Sequence, residues 1–239
     1  KPSMKKRLAA PVLNKIRAWD KNSSDRVDHF VAISKTIQNR IQDCYQRSSS
    51  IVYPPADTDF YHPSGEPRKD YYLVVSAFAP YKRIDLAIEA SQQLGKKLVI
   101  IGTGQDEKRL KALAGPNVQF LGWQDDASIR NHFRKARALL FPGFEDFGIV
   151  PLEAQGCGAP VIALGRGGAT ETVVPPETGQ PATGVLYSDA TEQGLIDGIL
   201  HFESLAGRFD PTAARVHAVK FNTARYEREL LGYLATLTK

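Results

Sequence analysis

Cysteine is scarce, with only Cys44 and Cys157 in 239 residues. They stand far apart and without metal-ligand spacing, so neither a disulfide framework nor a zinc site is expected, and reduced thiols of a cytoplasmic protein are the default. Long apolar runs are missing too. None approaches the ~18 residues that would suggest a membrane span, and no secretory signal pattern opens the chain. The five histidines (His29, His62, His132, His201, His217) show no ligand spacing. No Ser-His-Asp arrangement can be argued, and the three-glycine fingerprint of dinucleotide binding is absent, which argues against a NAD dehydrogenase.

What is present is ordinary in amount, with 42% hydrophobic and 24% charged residues, as in soluble globular proteins. The charge is unevenly placed. Residues 1–40 carry ten Lys/Arg against three Asp, a balance of +7 in a chain whose net charge is +5. A solvated basic helix face explains this, and attraction to an anionic membrane surface is the sharper reading. Nucleic acid is not an expected partner, because no aromatic-plus-basic platform accompanies the charge.

Apolar spacing predicts a helix over 5–19, with Pro11 inside it, a strand over 27–33, a helix capped by Ser34, and a strand over 51–53 halted by Pro54-Pro55. The polar, turn-rich stretch 61–70 reads as a linker. Short apolar strands then alternate with helices: strands at 71–77, 97–101, 118–121, 138–141, 160–164 and 184–187, helices at 84–94, 106–114, 127–136, 149–156 and 193–204. That alternation predicts an α/β fold, a doubly wound Rossmann-like parallel sheet. A long amphipathic helix over 221–237 closes the chain.

The most informative stretch is Phe141 to Ala154. A short apolar strand ends at Pro142-Gly143, two acids follow in a loop, and Gly148 opens a helix. A helix N-terminus behind a glycine offers unpaired N–H groups and partial positive charge to a phosphate. Glu145 and Glu153 flank that terminus, which suits a ligand with both phosphate and hydroxyl groups, such as a nucleotide sugar. Other post-strand loops carry unusual residues as well. Lys82 and Arg83 sit at a helix N-terminus, where positive charge is unfavourable unless an anion lies there. Gly102 and Gly104 read as a tight turn, and with Trp123 they are carried as candidate donor-binding residues. Trp123 can border a base or pack in the core. Gly167-Gly168 with Arg166 reads as a flexible turn or a phosphate contact. Asp57-Thr58-Asp59 has a metal-binding form but follows two prolines, where turn-forming Asp is expected.

Four stretches together resemble the retaining glycosyltransferases of family 4 (glycosyltransferase group 1), with the two-domain GT-B fold. They are Pro54–Phe60, Pro80–Ala90, Glu145–Glu153 (an E-x7-E pair), and Gly158–Ala163 with Gly167–Val173. The resemblance implies that Glu145 contacts donor-sugar hydroxyls and that Phe147, Gly148 and Ile149 offer backbone N–H groups to sugar and diphosphate. It further implies that Glu153 binds the ribose, while Lys82 neutralises the diphosphate with Arg83 beside it. Glu145 and Lys82 would be the catalytic pair. Ala77 stands where the family often has Arg, and Arg83 where many members have Gly. Residues 1–60 would be the tail of an N-terminal acceptor domain with its linker, 61–220 the nucleotide-sugar-binding domain, and 221–239 a helix crossing back to the missing domain.

The expected activity is transfer of a hexose from a GDP-sugar or UDP-sugar to a saccharide or lipid-linked acceptor, most like bacterial mannosyltransferases of polysaccharide assembly. No cofactor and no metal are expected, and the fragment is expected to bind donor without turning it over. The expected place is the cytoplasm, with peripheral attachment to the inner face of the plasma membrane as the reading that the basic segment adds. A non-catalytic nucleotide-sugar binding module and a GT-B epimerase or phosphorylase stay open as alternatives.

Overall fold

A computed structural model describes residues 4–205 and 207–237. Lys1 of the basic set, and the side chains of Lys5, Lys6, Arg7 and Leu8, lie outside what is described. The chain forms two compact units that divide between Val52 and Tyr53.

In the first unit, α1 (Met4–Ser23) runs unbroken through Pro11 and exposes Val12, Leu13, Ile16 and Trp19. A 3-10 turn (Ser24–Arg26) leads to β1 (Phe30–Ala32), α2 (Lys35–Tyr45) and β2 (Ser49–Ile51). Ser34 caps α2 by accepting from Ile37 N at 3.1 Å, which leaves one fewer unpaired donor at the helix start. β1 and β2 pair in parallel. Both strands are shorter than, or displaced from, the apolar runs that predict them. Arg47 is the reason at β1: its guanidinium donates to Ser24 O, Val27 O and Asp28 O, holding 24–28 as irregular backbone.

The second unit carries β3 (Tyr72–Val75), α3 (Ile84–Gln93), β4 (Leu98–Ile101), α4 (Glu107–Leu113), β5 (Val118–Gly122), α5 (Asp126–Lys135), β6 (Ala138–Phe141), α6 (Ile149–Gly156), β7 (Val161–Leu164), α7 (Ala169–Thr172), β8 (Gly184–Tyr187), α8 (Glu192–Ser204), α9 (Pro211–Val219) and α10 (Thr223–Leu237). Its six strands are all parallel, in the order β5-β4-β3-β6-β7-β8. Alternate strand residues feed opposite cores. Tyr72, Val74, Ile100 and Leu140 pack with Ile88 of α3 and Ile199 of α8. Leu73, Val99, Ile101 and Leu139 pack with Phe133 of α5 and Ala154 of α6. The sheet is thus covered on both faces, as the near-continuous apolar strands require. Phe133 is fully buried, so Phe133→Ala is expected to lower stability by about 3–5 kcal/mol, read as a fall in denaturation midpoint.

Two segments differ from the sequence reading. The polar stretch 61–70 is fastened to the sheet unit: Tyr61 is buried and the Arg68 guanidinium donates to Phe133 O, Ala136 O and Gly158 O. Tyr53 and Ala56 also pack in this unit, so the units divide earlier than residue 60. The closing helix begins at Thr223, after a separate α9 that packs on α6. Arg225 of α10 donates to Tyr53 O.

Candidate functional site

In a doubly wound sheet, the loops beyond the carboxyl ends of the strands open a crevice where the strand order reverses. The reversal here lies between β3 and β6: β4 and β5 follow on one side, β7 and β8 on the other. The loops after these two strands are the ones carrying Lys82 and Glu145. After β3 the chain makes a 3-10 turn, Pro80–Lys82, and Lys82 forms an ion pair with Glu145, both about one-fifth exposed. The loops touch through backbone as well. A Cβ on Gly143 would lie 3.0 Å from both Cα and O of Lys82.

The loop carrying Glu145 is held from behind. Gly168 N donates to Glu145 O at 2.9 Å. A Cβ on Gly168 would fall 2.1 Å from Phe147 Cα, and one on Gly167 2.4 Å from Glu145 O. The paired glycines therefore allow close approach of the chain to itself, and the flexible-turn reading is replaced by a packed one. The Phe147 side chain is buried, stacked on Tyr53 at 5.7 Å and tilted against Phe221 at 6.0 Å. Gly148 follows at φ +102°, a conformation that side chains resist, and opens α6 with no side-chain cap. The N–H groups of Ile149 and Val150 thus have no acceptor within the helix. Phe147 offers only its backbone to the crevice.

Beside α6 lies a cleft of about 400 Å³ at the carboxyl ends of β3, β4 and β5. Gly102, Trp123 and Val150 line it, with Ala77, Gln124 and Asp126. Trp123 is 75% exposed, so core packing is excluded and its ring is available to a planar group. Gly102 and Gly104 serve the β3 loop. At φ +132° and +157°, a Cβ on them would meet Ser76 O at 1.9 Å and Phe78 O at 2.6 Å.

Glu153 lies one turn beyond Val150, on the same face of α6. Burial first, and then the charges of Asp126 and Asp57, push its carboxyl up to about 7. Among the described residues it has no hydrogen-bond donor. For an acid whose folded pKa is raised, the folded chain binds the proton more tightly than the unfolded one between the two values. Stability from this group is therefore full below about pH 4.5 and is lost as pH rises through about 7. Glu153→Gln is expected to flatten the stability profile over that window and to raise the midpoint at pH 8, measured by denaturant titration.

Arg83 is engaged within the protein. Its side chain pairs with Asp85 at 3.2 Å and donates to Ala190 O at 3.4 Å. Its backbone is left-handed, at φ +52°, a conformation that costs a non-glycine residue about 1 kcal/mol. Asp57 accepts from Phe60 N at 3.0 Å, the turn role expected of it.

The reversed strand order, the paired loops and the uncapped helix define a doubly wound, Rossmann-like parallel sheet with a crevice at its switch point. The chain belongs to the glycosyl transferases group 1 family, whose model matches residues 58–215. Among similar proteins, D-inositol 3-phosphate glycosyltransferase of Mycobacteroides abscessus is 29% identical over 233 residues, 88% of this chain and 50% of that protein. A GDP-mannose-dependent monoacylated alpha-(1-6)-phosphatidylinositol monomannoside mannosyltransferase of Corynebacterium glutamicum is 38% identical over 116 residues, 42% of this chain and 30% of that protein. Sucrose-phosphate synthase of Thermosynechococcus elongatus shares the fold, with a TM-score of 0.81 at 20% identity over 94% of this chain and 62% of that one. The chain spans about half the length of the curated relatives it matches.

Sequence reasoning missed Asp126 and Gln124, which line the cleft. Their only signal is position, just beyond Trp123 in a post-strand loop. No helix is long and apolar enough to cross a membrane among the described residues.

Proposed function

We propose that this chain is the donor-binding half of a retaining glycosyltransferase, which moves a hexose from a nucleoside diphosphate to a saccharide or lipid-linked hydroxyl. The meeting of Lys82 and Glu145 at the switch point, beside the uncapped start of α6, carries the proposal. A diphosphate in the crevice accepts from the N–H groups of Gly148 and Ile149 and draws Lys82 away from Glu145, leaving that carboxylate for the sugar hydroxyls. Trp123 borders the base and Glu153 accepts from the ribose. Charge grows on the leaving diphosphate in the transition state, and the fixed cation and helix terminus stabilise it there.

On this reading the cationic loop does the work of a metal, and a chelator is expected to leave the turnover of the intact enzyme unchanged. Loss of turnover in EDTA, restored by a divalent cation, would contradict it. Mannose as the transferred sugar rests on the likeness to the mannosyltransferase. The remainder of the enzyme supplies the acceptor site, with residues up to about Val52 as the end of that domain. The exposed apolar stripe of basic α1 supports a peripheral contact with an anionic membrane.

Titration of this chain with GDP, UDP, ADP and their sugar conjugates tests the donor site. Saturable binding of one nucleoside diphosphate, quenching Trp123 fluorescence, is expected. Binding of none by the folded chain would refute the proposal.

A further inference from the structure

The sheet has a second cavity, at the opposite end from the crevice. It measures about 830 Å³, within the range of small-molecule sites. It lies where β3, β4 and β5 begin and α5 ends. Leu98, Val99, Pro116 and Val118 give it an apolar wall, and Lys69, Lys97 and Lys135 line it with charge. The three lysines are far apart in sequence. They converge because parallel strands all start at one end: Lys69 precedes β3, Lys97 immediately precedes β4, and Lys135 closes α5.

No carboxylate is among the lining residues. Lys135 reaches outward to the exposed Glu66 at 3.1 Å, and among the described residues Lys69 and Lys97 have no acidic partner. His132 also lines the cavity, its Nδ1 3.2 Å from Tyr71 Oη. Burial first, then Lys135 and Lys69, hold its imidazole below the usual range. Lys135 and Lys69 thus stand near a half-buried ring, with Lys97 on the same cavity lining, and a bound dianion gains from all three charges.

We propose that this cavity is a second ligand site, taking a phosphate monoester with an apolar body. The monoester faces the three lysines and the body lies along Leu98, Val99 and Val118. The length of β4, about 13 Å for four residues, separates it from the donor crevice, so the two sites can be filled together.

The test is calorimetric and NMR titration of the chain with inorganic phosphate, phenyl phosphate, and phosphatidylcholine vesicles with and without phosphatidic acid. Phenyl phosphate is expected to bind saturably, more tightly than inorganic phosphate, and to shift the His132 ring resonances. Lys69→Ala and Lys97→Ala, both at exposed positions, should each weaken it about three- to fivefold. Glu66→Gln, which removes the competing carboxylate, should tighten it, and Lys82→Ala should leave it unchanged. Binding to phosphatidic acid vesicles that Lys97→Ala weakens would support the site with a lipid headgroup as its source. Binding of the soluble ester alone would support it with a free metabolite. No saturable binding by the folded chain up to about 10 mM would overturn the proposal. So would binding lost in Lys82→Ala and kept in Lys97→Ala.

Discussion

Replacing Lys82 with Ala in the intact enzyme is expected to lower kcat about 10²- to 10³-fold, with a smaller change in KM. The reason is where the charge appears. Ground-state donor already carries its diphosphate charge, but the leaving group gains more as the glycosidic bond breaks, so a fixed cation binds the transition state better than the substrate. Removing one such preorganised contact typically costs about 3–4 kcal/mol. The Lys82 side chain is only one-fifth exposed, so bulk water replaces it poorly. Turnover within about twofold of the unaltered enzyme would show that Lys82 is not at the reacting diphosphate. Single-turnover rates are the suitable measure, because they separate chemistry from product release.

The second large effect is expected at a glycine behind the loop that carries Glu145. Gly168→Ala places a methyl group 2.1 Å from Phe147 Cα and 2.2 Å from Phe147 O. Nothing flexible stands in the way to give. The Gly168 N–H bond to Glu145 O is strained at the same stroke. The loop from Glu145 to Gly148 has to move, and the aromatic contacts of Phe147 with Tyr53 and Phe221 move with it. A loss of about 4 kcal/mol or more is expected in denaturant unfolding, together with loss of nucleotide binding. Gly179→Ala is the control. Gly179 is left-handed, at φ +71°, with open space around its Cβ position, whereas Gly168 has ordinary right-handed backbone at φ −65°, so Gly179→Ala should cost only about 1 kcal/mol. Equal effects of the two changes would mean that the Phe147 loop yields to the added methyl group, and that close loop packing is not what Gly168 provides.

The fold was legible because its strands are buried on both faces. Continuous runs such as Leu98–Ile101 and Ala138–Phe141 can satisfy neither an exposed helix nor a half-exposed strand, and the helices between them carry one apolar side each. Lys82, Glu145 and Gly148 were legible for a related reason. Each breaks a local preference, a cation at a helix start or an uncapped terminus, at a place where topology puts ligands. Other features had no local signal. The role of Gly167-Gly168 depends on a loop some twenty residues away in the chain. The hold of Arg68 on 61–70 runs through carbonyls of α5 and the loop before β7, which a composition of prolines and charges conceals. The surroundings of Arg83 were hidden as well: its side chain reaches Asp85 and Ala190, and its backbone lies where glycine fits best. The cavity under the other end of α5 was invisible because its three lysines are scattered singly among ordinary surface residues.

On the proposed function a nucleoside diphosphate sits at the start of α6, facing Lys82. Amide resonances of the isotopically labelled chain test it most directly, on saturation with whichever of GDP or UDP binds. The largest shifts are expected at Gly148 and Ile149, with the Trp123 indole N–H moving at the same ligand concentration. Shifts that leave Gly148 and Ile149 unmoved and gather at Gly95, Lys97 and Asn117, at the opposite end of the sheet, would contradict that placement.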